Sequence, residues 1–343
     1  MEKKRDPVFD VAKAFAMFMV VYSHVMFYRP GFNLKDNPSY SINFIMVVAM
    51  PLFFMISGYF SRRLHESGDV VKLLNRFISY FWPLAIFALV FAVVERLVSG
   101  RYLWSQIPLL ALKKFLFCGW FFYTLAVCEL IVYLWFHFPR KRWRIPVCLL
   151  VIGGCLCGVG RVWHMQQIVA MLPFYAFGLW LFPSIVKNMA LFRLLACIGG
   201  GTLFVTTFLC GNIAINGLSF YWNYLDVFNF SKHDCGLMII RFIIGTLGAM
   251  SILKGLQIML HVFPMLKCLS TFGVETLGIY FIHGYLVKDW CNRFVGLDAG
   301  SMGCAFSAFI VFVTSFVIVK ALKFNSYISH IVWGYAIQRK SCL

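Results

Sequence analysis

Apolar residues run along this chain in long stretches separated by short polar segments, and that pattern predicts helices. Crossing about 30 Å of hydrocarbon takes about 20 helical residues. On that rule the chain reads as about ten transmembrane helices, at 8–28, 41–61, 77–98, 118–138, 145–163, 168–184, 190–210, 237–260, 269–287 and 302–322. The expected fold is an all-α polytopic membrane protein: one integral membrane domain over residues 1–343, with no soluble domain and no internal repeat. Lys3, Lys4 and Arg5 precede the first apolar run, and no small-residue cleavage site follows it, so the run reads as an uncleaved first helix.

Charge supports the topology. With the N-terminus inside, the cytoplasmic segments hold Arg62, Arg63, Lys72 and Arg76, then Arg140, Lys141, Arg142 and Arg144, and later Arg339 and Lys340. The outer segments hold fewer basic residues, which predicts that the N-terminus and the C-terminus are both cytoplasmic. The basic stretch from Arg96 to Lys114 is the misfit: it is either an interfacial amphipathic segment or a sign that the span count is wrong there.

Composition narrows the class further. Hydrophobic residues make up 61% of the 343 and charged residues 13%, whereas a soluble globular chain carries about 25% charged residues. The net charge of +18 then points to anionic lipid head groups rather than to nucleic acid. Of the 12 cysteines, Cys118, Cys128, Cys148, Cys155, Cys157 and Cys197 fall in apolar runs, and no C-x-x-C pair has zinc spacing, so no metal site is expected. A disulfide between Cys210 and Cys235 is open but has no further support.

Ionisable groups inside a membrane are costly, and each is a functional candidate. Asp10 and Lys13 lie three apart on one face of the first helix, near its cytoplasmic entrance. His24 lies fourteen residues beyond Asp10, or about 21 Å along the axis. His283 lies at a similar count into the ninth run, so two imidazoles are expected at one level of the bundle, where a cavity-lining histidine can act as a general base. Glu129 is expected near the middle of the fourth run, where it must be protonated, paired or wet. A histidine or Arg241 could pair with it, or it could bridge helices structurally. Lys72 and Arg76 read either as the positive-inside signal or as phosphate ligands. In the loop at about 211–236, Tyr221, Trp222 and Asp226 suit a sugar ring, and the aromatics equally suit an interfacial belt.

Taken in order, these residues resemble the integral-membrane acyltransferase-3 family, which O-acylates mainly surface carbohydrates in bacteria. The first-helix pattern is similar at Asp10, Lys13, Ala14, Ala16, Val20, Val21 and His24. The family's second-helix pattern is similar from Pro51 to Tyr59, its tryptophan segment with a downstream glutamate from Gly119 to Glu129, its Pro-Phe segment from Pro173 to Gly178, and its late segment from Thr276 to His283. Two departures stand out. The family's Arg-x-x-Arg is here Arg76-Phe-Ile-Ser79, with Lys72 as the available substitute, and Cys128 stands where many members have the first of two glutamates.

The resemblance implies a donor, an acceptor and roles. Acyl-CoA, with acetyl-CoA favoured, is the co-substrate, and no bound cofactor is implied. Its phosphates would meet Arg76, Lys72 and Lys13, and Asp10 and Lys13 would hold the entrance. The pantetheine arm, about 20 Å long at chain-like spacing, would reach His24, acting as general base or as acyl carrier, with Glu129 and His283 as further catalytic candidates. The acceptor would be a carbohydrate or lipid-linked carbohydrate at the outer face of the bacterial inner membrane, on the side of Tyr221, Trp222 and Asp226. A proton-coupled transporter or flippase, with His24 and His283 as its relay, and a lipid acyltransferase remain the alternatives.

Overall fold

A computed structural model describes residues 6–29, 40–100, 102–138, 144–146, 148, 167–209, 232–294 and 300–334, and every regular element among them is helical. In chain order these are α1 (Pro7–Tyr28), α2 (Tyr40–Ser67), α3 (Val70–Ser99), α4 (Ile107–Cys118), α5 (Trp120–His137), α6 (Gln167–Trp180), α7 (Phe182–Lys187), α8 (Met189–Phe204), α9 (Lys232–Val262), α10 (Ser270–Val274), α11 (Thr276–Phe294), α12 (Ser301–Phe324) and α13 (Ser326–Trp333).

Among the described residues six helices are long and apolar enough to cross a membrane, or seven if the bent pair Pro264–Val274 and Thr276–Lys288 counts as one span. Large apolar side chains such as Leu97, Leu194, Ile239 and Phe306 are exposed along them, as a hydrocarbon environment allows and water does not. The protein is therefore an all-helical, multi-pass membrane protein. The run expected at 145–163 lies almost wholly outside the described residues, as do Cys155, Cys157 and Cys210.

The chain divides into two units. The first takes the described residues up to Phe60 and those from Pro173 to Val319; the second takes Ser61 to Leu172 and the residues from Lys320 on.

In the first unit α1 is the enclosed helix. Its most apolar stretch is 72% buried, against 22–50% for the other spanning helices. Pro7 at the first turn and the Asp6 carboxylate, which accepts from the Val8 N–H at 3.0 Å, start it. Around it α2 and α6 cross at two glycines. A Cβ on Gly58 would overlap the Tyr175 carbonyl, and one on Gly178 would overlap the Met55 carbonyl. Small residues let membrane helices come this close, which explains the Ser57-Gly58 and Pro173–Gly178 segments as packing. Neither carbonyl can move without breaking its helix, so Gly58→Ala and Gly178→Ala are each expected to cost about 1–3 kcal/mol. Gly201→Ala, where nothing lies within 4 Å, is expected to be neutral or stabilising, since alanine is the better helix former. Thermal unfolding of the three purified variants checks this. Equal melting points would mean that the crossing is looser than described.

The second unit is organised by a long antiparallel hairpin. Descending α3 and ascending the next limb, Lys114 pairs with Glu95 at 2.5 Å, Leu84 lies against Gly119, and Arg76 pairs with Glu129 at 2.8 Å. At the end away from its turn, Tyr133 donates to the Gly68 carbonyl at 2.8 Å and His137 bonds the His65 carbonyl at 2.5 Å. The fourth limb thus begins at Ile107, as α4, and continues as α5 after a break at Gly119. The span expected at 118–138 corresponds to α5, and α4 is an additional helix ahead of it. Lys113 and Lys114 read as loop charges in sequence, yet they sit on α4, with Lys114 neutralised by Glu95 and Arg96 lying 5.5 Å over the Trp104 ring. α13 closes the same hairpin from outside, where Trp82 donates to the Ile331 carbonyl at 2.8 Å and Trp333 meets Phe87 edge-on at 5.8 Å.

Candidate functional site

His24 and His283, far apart in the chain, meet in the first unit. Their ring centroids are 5.2 Å apart and the ring planes cross at 75°. The meeting does not come from equal depth along two straight helices. The ninth run is not one helix: it bends by 72° at Glu275, and the helix that carries His283 begins at Thr276. The bend is set by a crossing. A Cβ on Gly273 would overlap the Asp10 carbonyl, so α10 lies directly on the first turn of α1. α11 then leaves this anchor and touches α1 again where the Cys291 thiol meets the Val25 carbonyl at 3.7 Å, one residue beyond His24.

The two imidazoles differ in their surroundings. His283 is 3% exposed. Its Nδ1 lies 3.1 Å from the Ile279 carbonyl, and because a carbonyl only accepts, Nδ1 must carry the proton. In the neutral ring Nε2 therefore bears a lone pair, and that atom is buried without a hydrogen-bond partner among the described residues. His24 is half-buried and stacks on exposed Tyr28 at 6.4 Å and 19°. Tyr280 covers His283 from its own helix at 5.5 Å. The pair is thus a basic nitrogen lodged behind a more accessible imidazole, an arrangement suited to moving a proton.

Asp10 and Lys13 form an ion pair at 2.7 Å on α1, with Asp10 buried and Lys13 one-fifth exposed. Arg241 is 6% exposed, on α9 of the same unit.

In the second unit Glu129 is fully buried, and its ion pair is with Arg76. The sequence placed this carboxylate in the middle of a span. It does lie midway along α5, and the hairpin sets it opposite the second and third turns of α3. Tyr80 joins the pair: Arg76 Nε donates to the Tyr80 hydroxyl at 2.7 Å, and that hydroxyl donates to Glu129 Oε1 at 3.1 Å. Sequence reading did not single out Tyr80. Its signal was the four-residue spacing from Arg76, which puts both side chains on one helix face. Ser79, which stands at the position of the family's second arginine, turns back to bond the Arg76 carbonyl at 2.6 Å.

Lys72 is 64% exposed and pairs with Asp69 at 3.2 Å, whose carboxylate also accepts from the Lys72 N–H at 3.1 Å and so caps α3. That N–H, with the ammonium second, holds the Asp69 carboxyl below the usual carboxylate range. Tyr221, Trp222 and Asp226 lie outside the described residues.

Among curated proteins and among solved structures nothing matches the chain. A model of the acyltransferase domain called Acyl_transf_3 matches residues 6–322, from the cap of α1 almost to the end of α12. With its motif residues spread over that whole length, the chain belongs to the acyltransferase-3 family and is a membrane acyltransferase.

Proposed function

We propose that the protein is an acyl-CoA-dependent O-acyltransferase that moves acetyl to a hydroxyl of a cell-envelope polysaccharide or its lipid-linked precursor. It works in the bacterial inner membrane, with both termini and the donor on the cytoplasmic face. The observation that carries this reading is the His24–His283 pair, held at 5.2 Å beside an enclosed helix of a chain from an acyltransferase family.

The acceptor oxygen attacks the thioester carbonyl carbon while His24 takes its proton. The carbon–sulfur bond then breaks, the proton passes to the departing thiolate, and the ester remains on the sugar. Arg76 and Lys72 hold the donor phosphates. The Lys72–Asp69 pair is exposed, and such pairs are worth little, so a phosphate displaces it at low cost. Asp10 orients Lys13 at the entrance, and Tyr221, Trp222 and Asp226 receive the acceptor.

The test is mass spectrometry of released envelope glycans from cells with no copy of the gene, the native copy, or His24→Ala at matched membrane levels. An ester-linked acetyl group seen only with the native copy is the expected result. Acylation that survives His24→Ala removes this histidine from the reaction. Glycans unchanged by every copy move the acceptor to lipids, or the function to transport.

A further inference from the structure

Two groups meet the Nε of the Arg76 guanidinium. Its Nε–H reaches both the Tyr80 hydroxyl, at 2.7 Å, and Glu129 Oε1, at 2.8 Å. The Tyr80 hydroxyl in turn donates to that same oxygen at 3.1 Å, so the three polar groups close a triangle. Left alone, a carboxylate takes a guanidinium in a bidentate fork and turns the whole plane toward itself. Tyr80 bridges the two beside their direct contact: it accepts from Nε and offsets part of the charge on Oε1. The guanidinium plane is thereby fixed by its Nε edge, on a side chain that is still 27% exposed. Its terminal amino groups carry the planar N–H geometry that suits phosphate oxygens, and a rotamer-rich side chain loses less freedom on binding when its plane is already set. The Tyr80 ring packs on Phe122 at 5.7 Å, a contact that phenylalanine keeps, so only the hydroxyl is particular to this arrangement.

We propose that Tyr80 is a positioning residue for the acyl donor: through the triangle with Glu129 it holds the Arg76 guanidinium in the plane that takes a phosphate group of CoA. The proposal rests on the reading of Arg76 as a ligand of the donor phosphates.

The test is binding of free CoA to the purified full-length protein in lipid nanodiscs, for wild type, Tyr80→Phe, Arg76→Lys and the double variant, with melting temperature measured alongside. Lysine keeps a cation over Glu129 but loses the fork. Tyr80→Phe is expected to weaken CoA about tenfold, as the loss of one hydrogen bond to a charged group does. The double variant is expected to bind no worse than Arg76→Lys alone, because Tyr80 acts only through the guanidinium. A merely structural tyrosine would lower the melting temperature and leave CoA affinity unchanged, which overturns the proposal. Full additivity of the two substitutions also overturns it, and so does a wild type that binds no CoA. If CoA binds as expected while envelope glycans stay unmodified, the acceptor assignment fails and the role of Tyr80 stands.

Discussion

His24→Ala and His24→Gln are expected to lower acyl transfer equally, by about 10²–10⁴-fold, the range for removal of a general base. His283 is expected to behave differently. Its Nδ1 proton is committed to the Ile279 carbonyl, so what it offers to its neighbour is the lone pair on Nε2, an atom with no hydrogen-bond partner among the described residues. A glutamine side chain can place an acceptor oxygen near that position, whereas alanine cannot. His283→Gln should therefore retain about tenfold more activity than His283→Ala, on the scale of one hydrogen bond. At position 24 an amide gives no such rescue, because an amide does not take up a proton near neutral pH. The measurement is the initial rate of acetyl transfer from acetyl-CoA to the glycan acceptor by the four purified variants, each checked for folding. His24→Gln with a tenth or more of wild-type activity would sink the base assignment. Equal losses for the two His283 variants would show that its lone pair is idle.

Much of this site was legible in the chain, and what was hidden depended on tertiary contacts. Asp10, Lys13 and His24 share one helix, so their spacing alone set their order along it. His283 could be paired with His24 from their polarity within apolar runs, but the reason given, equal counts along straight helices, was wrong. The run carries Ser270, Thr271 and Glu275 around Gly273, but those residues do not give the bend its direction: α10 meets the Asp10 carbonyl there, a contact no local pattern encodes. On the fourth limb the span was legible and the helix ahead of it, α4, was not. Lys113 and Lys114 interrupt the hydropathy and read as loop, and only Glu95, on the neighbouring limb, makes one of them tolerable inside a helix. Glu129 stands at mid-span as its place in the run implies, and what no local pattern gave was its partner, Arg76 on the neighbouring helix. The four-residue spacing of Tyr80 from Arg76 is a weak signal in an aromatic-rich helix, and its meaning comes only from the hydroxyl's contacts with two charged groups.

Arg76→Ala is expected to destabilise the second unit by about 3–5 kcal/mol, because it strands a buried carboxylate. Glu129 is 0% exposed and its ion pair with Arg76 spans 2.8 Å. Tyr80 would still donate one hydrogen bond, but a neutral hydroxyl replaces little of what a guanidinium supplies to a desolvated charge. Glu129→Gln should cost less than Arg76→Ala. It removes the buried charge, keeps an acceptor for Tyr80 and leaves a cation that is already 27% exposed and can turn toward water. The decisive comparison is the double variant Arg76→Ala/Glu129→Gln. If the penalty comes from an uncompensated charge, the double variant is more stable than Arg76→Ala alone, although it carries one substitution more. Chemical unfolding of the three variants in one detergent reads this directly. Simple addition of the two single losses would mean that the pair contributes packing rather than charge compensation. The hairpin would then be held by its other contacts, from Glu95–Lys114 at one end to Gly68–Tyr133 at the other.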